Sequence, residues 1–413
     1  MVGAGAAGLM AGITAGRAGR PAVILDGARV LGAKILVSGG GRCNVTHDVV
    51  DERAYAGSTP AAIRRVLRQF GVEQTVAFFS ELGVELKREE TGKLFPVTDR
   101  ADTVLEALLR AAREAGCDVR PRHRVTAIEA TGRGFRLSGA FGEIEARTLV
   151  LATGGRSLPK SGSDGAGFEF ARGLGHTVTP RLLPALVGLT LERESPLRGL
   201  SGIATPVRLE LRAGSGRRLH ALDGSVLCTH FGVSGPAAMD ISRYWQQAHL
   251  DDPGARFEVA WLPEERPESL DVALRELGGS TPLAFLDARL PSRLARVLCE
   301  AAGVDPSTRG HVLSREQRRA LVRAVLEYPL PVTGTRGWNA AEATAGGIPL
   351  AEVHLGTMES RVAPGLFLCG EVLDVDGRIG GYNFQWAWSS GHVAGLGVAA
   401  ARNLEGASAV QEA

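Results

Sequence analysis

Gly3, Gly5 and Gly8 stand in the spacing G-x-G-x-x-G, with Ala6 and Ala7 between the last two, and Asp26 follows 18 residues beyond Gly8. Glycine at those places lets a main chain come close to a diphosphate, and a helix opening there presents unbonded N–H groups and a partial positive charge to it. An acid at the distance of Asp26 is placed to accept hydrogen bonds from a ribose. On this stretch alone, a glycine turn of purely structural purpose would read the same way. The next stretch, LGAKILVSGGGRCN, weighs against that reading. Lys34, Ser38, Gly39, Gly40, Gly41, Arg42, Cys43 and Asn44 make a second loop able to wrap an extended ligand, which a nicotinamide enzyme does not need at this point.

Secondary structure must position these residues. Leu9 to Ala18 is a run of small, helix-compatible residues closed by Gly19, Arg20 and Pro21. AVILD at 22–26 has the apolar character of a parallel strand buried on both faces. Ahead of the turn stand only Met1 and Val2, whereas the first strand of a doubly wound fold lies mid-sheet and needs about five residues. The natural chain is therefore expected to carry several more apolar residues upstream. RTLVLATGG at 147–155 reads as a buried strand running into Ala152, Thr153, Gly154 and Gly155, and GLFLCGE at 365–371 as another ending at Gly370 and Glu371. Gly380 and Gly381 precede Tyr382 and a helix expected from Asn383. Pro60 opens an amphipathic helix with Ile63, Val66, Leu67 and Phe70 on one stripe, Val104, Leu105, Leu108 and Leu109 mark a second, and 124–130 with 134–139 read as a hairpin.

The chain of 413 residues is 44% apolar and 22% charged, the balance of a globular protein larger than one ordinary core. A net charge of +2 predicts no strong attraction to nucleic acid or membrane as a whole, while leaving room for a local basic patch. Five scattered cysteines without a C-x-x-C pair fit a reducing cytoplasm, and no metal-ligand spacing occurs among the nine histidines. The start lacks the positive n-region of a secretory signal, and no stretch has the length of a membrane span, so a cytoplasmic location is expected.

The glycine turn, the acid closing the second strand and S-G-G-G-R-C-N together resemble the FAD-binding domain of the glutathione reductase-like flavoproteins. GAKILVSGGGRCNVTH at 32–47 is similar to the signature of a bacterial family of aminoacetone oxidase-like and bile-acid reductase-like FAD enzymes. The likeness continues through 147–176, 229–243 and 365–391, although 161–167 reads SGSDGAG where the family pattern is nearer TGSTGDG. It implies an α/β fold: a Rossmann-like FAD-binding domain with a parallel central sheet, interrupted by a mixed α+β insert. From about 189 to 343 short alternating runs such as VRLELRA and helical stretches at 266–277 and 315–327 fit that insert. The expected boundaries are 1–188 and 344–405 for the FAD domain, with TAGGIPLAEV at 344–353 returning to its sheet and a frayed tail at 406–413. The resemblance further implies that Ala152 to Gly155 turn back against the dinucleotide, that a backbone group near Val125 meets the adenine, and that Glu371 bonds the ribityl or diphosphate region. The helix after Gly380, Gly381, Tyr382 and Asn383 would favour negative charge on the reduced flavin.

The flavin carries the redox change in such an enzyme, so an evident catalytic triad is not required. Cys43, His47 and Tyr382 are the candidates for direct chemistry: Cys43 as a redox partner or, more plainly, a small thiol packed beside the flavin, and His47 and Tyr382 as proton donors. Trp386 and Trp388 read as packing residues. An FAD-dependent oxidoreductase acting on a small organic substrate is the leading expectation, with NAD(P)H as an open choice of reductant because no second dinucleotide turn follows. The alternatives are a non-catalytic flavin-binding redox sensor and a flavin-dependent tRNA-modifying enzyme, the latter disfavoured by the near-neutral charge.

Overall fold

The computed structural model describes residues 1–411, with backbone alone from 402 onward; the tail expected at 406–413 lies outside the fully described residues. The chain divides into two compact units, Met1–Pro184 with Glu342–Ala413, and Ala185–Ala341.

In the first unit, α1 (Ala6–Arg17) follows the glycine turn, and the strands β1 (Val23–Leu25), β2 (Asp118–Arg120), β3 (Leu149–Leu151) and β4 (Leu366–Leu368) build a parallel layer before α2 (Tyr382–Gln411) closes the unit. β1 pairs with β2 and β3 with β4, all parallel. Val2 joins the two halves, bridging Leu25 on one side and Leu151 on the other. The short lead-in to the glycine turn thus lies mid-sheet. β1, β3 and β4 are short and wholly apolar, as strands covered on both faces are, whereas β2 carries Asp118 and Arg120 at its ends. TAGGIPLAEV rejoins this sheet only at its last residue: Val353 opens the edge strand Val353–His354, which pairs antiparallel with Glu359–Ser360, itself antiparallel to β4.

Glycine also sets how closely α1 and α2 pack. A Cβ on Gly391 would stand 2.5 Å from Ala7 O, and one on Gly395 2.6 Å from Ala11 O, so only glycine admits this backbone approach. Trp386 and Trp388 are buried beside the contact, with their indole N–H groups donating to Gly370 O (3.2 Å) and Val45 O (2.9 Å). They anchor α2 to the loops beneath it.

The second unit is built on a seven-stranded sheet in the order Tyr328–Leu330, Arg256–Ala260, Ala204–Arg212, Arg218–Thr229, Gly232–Ser234, Leu189–Leu191 and Val332–Thr335. Every pair in it is antiparallel. The strands alternate buried and exposed residues, as a sheet covered on one face should. Phe257, Trp261, Trp245 and Leu298 belong to its core, which the helices Pro236–Asp251, Pro267–Arg275, Ser292–Ala301 and Arg315–Leu326 help to form.

Candidate cofactor site

The glycine turn is fixed from both sides by the central layer. Val2 N donates to Val150 O, Ala152 N to Val2 O, and Gly3 N to Leu25 O, at 2.8–2.9 Å. Gly3 has φ +106°, and a Cβ there would stand 2.3 Å from Ala152 O, while one on Gly8 would stand 1.9 Å from Gly3 O. Gly5 is different: nothing lies within 4 Å of where its Cβ would be. That open space sits beside Ala6 and Ala7, the first residues of α1, whose N–H groups have no partner within the helix.

Asp26 does more than the sequence suggests. Its Oδ2 accepts from Ala4 N and its Oδ1 from Ala28 N, both at 2.7 Å, so the carboxylate ties the glycine turn to the end of β1. Each oxygen keeps a second lone pair for a ribose hydroxyl. Nearby, His123 N bonds Asp26 O, and two residues on Val125, buried, opens the strand Val125–Thr131.

The second glycine cluster closes an interrupted helix, Ala33–Gly41. Ser38 leaves helical geometry, and Gly39, Gly40 and Gly41 follow at φ +56°, +69° and +86°. Cys43 is also left-handed at +62°, an uncommon state for a residue with a side chain. The loop is closed by Cys43 N donating to Ser38 O at 3.0 Å. Arg42 is turned to protein partners: its guanidinium meets Glu89 at 2.6 Å and lies 4.0 Å from the Phe95 ring centroid. Its part is to hold the loop. The Cys43 side chain is fully buried, and burial pushes its thiol up to about 12, so the structure gives it a packing role and not that of a thiolate nucleophile.

Lys34 and Glu371, distant in sequence, meet under this loop. Lys34 Nζ lies 2.5 Å from Glu371 Oε2 and 2.7 Å from Ser157 Oγ, and Ser157 Oγ donates to Glu371 Oε1 at 2.7 Å. Burial alone would raise the Glu371 carboxyl, but the Lys34 charge and these hydrogen bonds outweigh it and hold it below the ordinary range. Gly155 has no room for a side chain here, since its Cβ would stand 2.3 Å from Thr344 Oγ1 and 2.8 Å from Glu371 Oε1. Gly154 is left-handed at +73°, and Gly370, before Glu371, faces Ala7 of α1.

Gly380 and Gly381, at φ +124° and +96°, lead into α2, which begins at Tyr382, one residue earlier than expected. The Asn383 side chain is engaged by protein: Oδ1 accepts from Gly377 N at 2.9 Å and Nδ2 donates to Gly377 O at 3.0 Å. It braces the turn instead of projecting from it. His47 stacks on Tyr382 with centroids 5.0 Å apart. The His47 ring reaches Thr91 O through Nε2 (2.9 Å) and Asp48 Oδ1 through Nδ1 (2.9 Å), and Tyr55 Oη donates to Tyr382 O at 2.8 Å.

The donor set fits a dinucleotide. Asn44 Oδ1, Thr153 Oγ1 and Ser163 Oγ are buried and have no protein partner, and a polar atom buried without a partner calls for a ligand or water. Ser163 Oγ faces Gly154 at 2.6 Å from its Cβ position. Ser157, Thr344 and Ser163 were not singled out in the sequence; Ser157 could have been, because it directly follows ATGGR.

The chain matches the family described as HI0933-like protein Rossmann domain over residues 1–397. It belongs to that family. This HI0933-like protein is accordingly a flavoprotein, an FAD-dependent oxidoreductase with a Rossmann-type FAD-binding domain. It is 35% identical to the 3-dehydro-bile acid delta(4,6)-reductase of Clostridium scindens over 97% of this chain and 98% of the relative. It is 34% identical to the ribosomal RNA dihydrouridine synthase of Escherichia coli over 94% and 95%. Among solved structures, 3-ketosteroid delta1-dehydrogenase from Sterolibacterium denitrificans superposes with TM-score 0.51 at 13% identity, covering 97% of this chain and 98% of that one, a likeness of fold. Among the described residues no helix is long and apolar enough to cross a membrane.

Proposed function

We propose that this HI0933-like protein reduces a carbon–carbon double bond conjugated to a carbonyl group. What carries the proposal is a chemistry common to two full-length relatives of nearly equal similarity. A delta(4,6)-reductase acting on a 3-dehydro bile acid removes double bonds conjugated to a ring ketone; making dihydrouridine removes the uracil double bond conjugated to a ring carbonyl. Both reactions add a hydride at the carbon remote from the carbonyl and a proton at the carbon beside it. The π electrons pass through the carbonyl oxygen and return to the carbon that takes the proton. Whether the ring is a free molecule or is carried on a larger one is a matter of docking, not of chemistry.

FAD held at this site would supply the hydride, after accepting it from a nicotinamide such as NADH or NADPH. The chain's residues have the remaining tasks. Gly5, Ala6 and Ala7 receive the diphosphate, Asp26 the ribose, and Lys34 balances the Glu371 carboxylate beside the chain that joins diphosphate to ring. The left-handed Gly39–Gly41 segment presents main chain without side chains, so a planar ring can lie against it. We assign proton delivery to the His47–Tyr382 pair, which stands at the entrance to the Gly380–Gly381 turn and carries both an imidazole and a phenol.

The test is anaerobic. Flavin reduced by NADH, NADPH or dithionite should be reoxidised on mixing with a 3-oxo-4,6-diene steroid or with uridine-containing ribosomal RNA, giving a product two hydrogens heavier. Failure of every conjugated acceptor, with fast reoxidation by oxygen after reduction by an amine, would overturn the proposal in favour of an oxidase.

A further inference from the structure

The near-neutral charge of the whole chain conceals a strong local imbalance in the second unit. Residues 251–288 hold nine carboxylates against three arginines, while 289–323 hold eight arginines against three carboxylates. All nineteen cations of residues 185–341 are arginine and none is lysine. On the sheet they are neutralised: Arg208 meets Asp223 at 2.7 Å, Arg212 meets Glu258 at 2.5 Å, and Arg218 meets Glu210 at 3.4 Å.

The two helices Ser292–Ala301 and Arg315–Leu326, which pack together, behave differently. Arg315, Arg319 and Arg323 recur every fourth residue, and all three are exposed. On an α-helix this is one row with steps of about 6 Å. Arg293 and Arg296 are exposed on the adjoining helix, Arg293 donating to Gly199 O. Among the described residues, none of these five has a carboxylate within ion-pair distance. Arg318, which turns toward the acidic helix Pro267–Arg275, is paired with Asp271 at 3.2 Å. Ion-paired partners are thus present where the helices pack, while on the outward row Glu316 stands beside Arg315 and Arg319 without pairing at ion-pair distance and offsets the row only in part.

We infer that this arginine row is a docking surface for an RNA strand. Arginine's planar fork binds phosphate through two parallel hydrogen bonds and is more weakly hydrated than lysine. A regular row of such groups suits a chain of phosphates better than a single anion. A lipid surface would need an apolar anchor beside the basic residues; the residues these helices expose are Ser292, Arg293, Arg296, Glu300 and Ala301 on one, and Arg315, Glu316, Arg319 and Arg323 on the other, with Val312 exposed just before the second, a single side chain against five arginines. The inference concerns binding and stands apart from the reaction proposed above.

The experiment uses the full-length protein with oxidised flavin and no reductant, and a fluorescein-labelled single-stranded RNA oligonucleotide followed by anisotropy. The triple variant Arg315→Glu, Arg319→Glu, Arg323→Glu should lose at least tenfold in affinity at low salt. Its plot of log affinity against log salt should be shallower by about 2, the slope of three lost phosphate contacts to a single strand. A matched triple, Arg65→Glu, Arg68→Glu, Arg113→Glu, changes exposed arginines of the other unit by the same charge and should bind as the parent does. Thermal melting checks that each variant folds; if the glutamate triple does not, the glutamine triple should give a smaller loss of the same sign. Absence of binding at low salt, equal loss in the matched triple, or preferential binding to phosphatidylglycerol vesicles would overturn the inference.

Discussion

The two glycine-rich stretches of the first unit need glycine for reasons of different weight. In GAGAAG the outer glycines are dictated by space: a methyl group on Gly8 would collide with Gly3 O and one on Gly3 with Ala152 O. In SGGG, Gly39 is confined by Phe95, 2.7 Å from its Cβ position, but at Gly40 and Gly41 the constraint is handedness alone. Gly40 has φ +69° but nothing within 4 Å of its Cβ position, and Gly41 meets no atom closer than 3.9 Å. The first stretch is walled in by backbone; the second is anchored by side-chain charges, Lys34 to Glu371 before it and Arg42 to Glu89 within it. One spacing motif is therefore rigid by packing, and the other takes its shape from pairings that local sequence does not display.

The largest effect should follow from attacking the packed stretch. Gly8→Ala would place its Cβ 1.9 Å from Gly3 O, whose residue is held in the central layer, so it should cost about 3 kcal/mol or more and abolish flavin retention. Thermal unfolding and flavin content of the purified variant measure both. A folded, yellow Gly8→Ala protein would show that the turn is less confined than the comparison requires.

Breaking the anchor of the second stretch should rank next. Lys34→Met leaves Glu371 largely buried without its countercharge and should destabilise by about 2 kcal/mol at neutral pH, less than a fully buried pair because both side chains are partly exposed. The sign with pH is fixed. Glu371 titrates below its ordinary value in the folded protein, so its contribution is present above about 4.3 and is lost as pH falls through the depressed value. The gap between parent and variant should therefore narrow in acid. Adding Glu371→Gln to Lys34→Met should recover part of the stability. A gap that widens on acidification would refute the pairing as the cause.

This difference also decides what could be read beforehand. The glycine spacing, the acid at 26 and the central place of the Val2 strand are local patterns, and the structure displays each of them. Asp26 was legible as an acid at a strand end, but not as the carboxylate that binds Ala4 N and Ala28 N. Lys34 and Glu371 are far apart in the chain, and only the closure of the sheet brings them together; the one hint was that Lys34 is among just four lysines in the chain. Asn383 and Arg42 are legible as members of cofactor loops, but not the partners of their side chains, Gly377 and Glu89. TAGGIPLAEV has the composition of a strand re-entering the sheet, and it does so only at Val353, on the sheet's edge. What stayed hidden in Asp26, Lys34, Arg42 and Asn383 is the partner of a polar group, which periodicity and propensity do not encode.

Gly40→Ala sharpens the handedness half of the comparison. With no steric contact to relieve, its cost should be only that of a left-handed alanine, about 1–2 kcal/mol. Gly40→Asn should cost less, since asparagine tolerates that region. Equal melting temperatures for the two variants would mean that the loop relaxes out of the left-handed state.

The smallest effect on stability, and the sharpest on function, is expected at Gly5. Its φ of −82° is open to any residue, and no atom lies within 4 Å of the added methyl. Gly5→Ala should therefore unfold within about 0.5 kcal/mol of the parent. The methyl would, however, stand in the open space before the first N–H groups of α1, where the diphosphate is proposed to sit. Affinity for FAD should then fall about tenfold or more, equivalent to about 1.4 kcal/mol, as the cofactor is pushed away from those donors. Titration of the apoprotein with FAD, alongside a melt in its absence, separates the two quantities. Unchanged affinity would show that the space at Gly5 is not the berth of the diphosphate, and a large loss of stability without FAD would return Gly5 to the same class as Gly3 and Gly8.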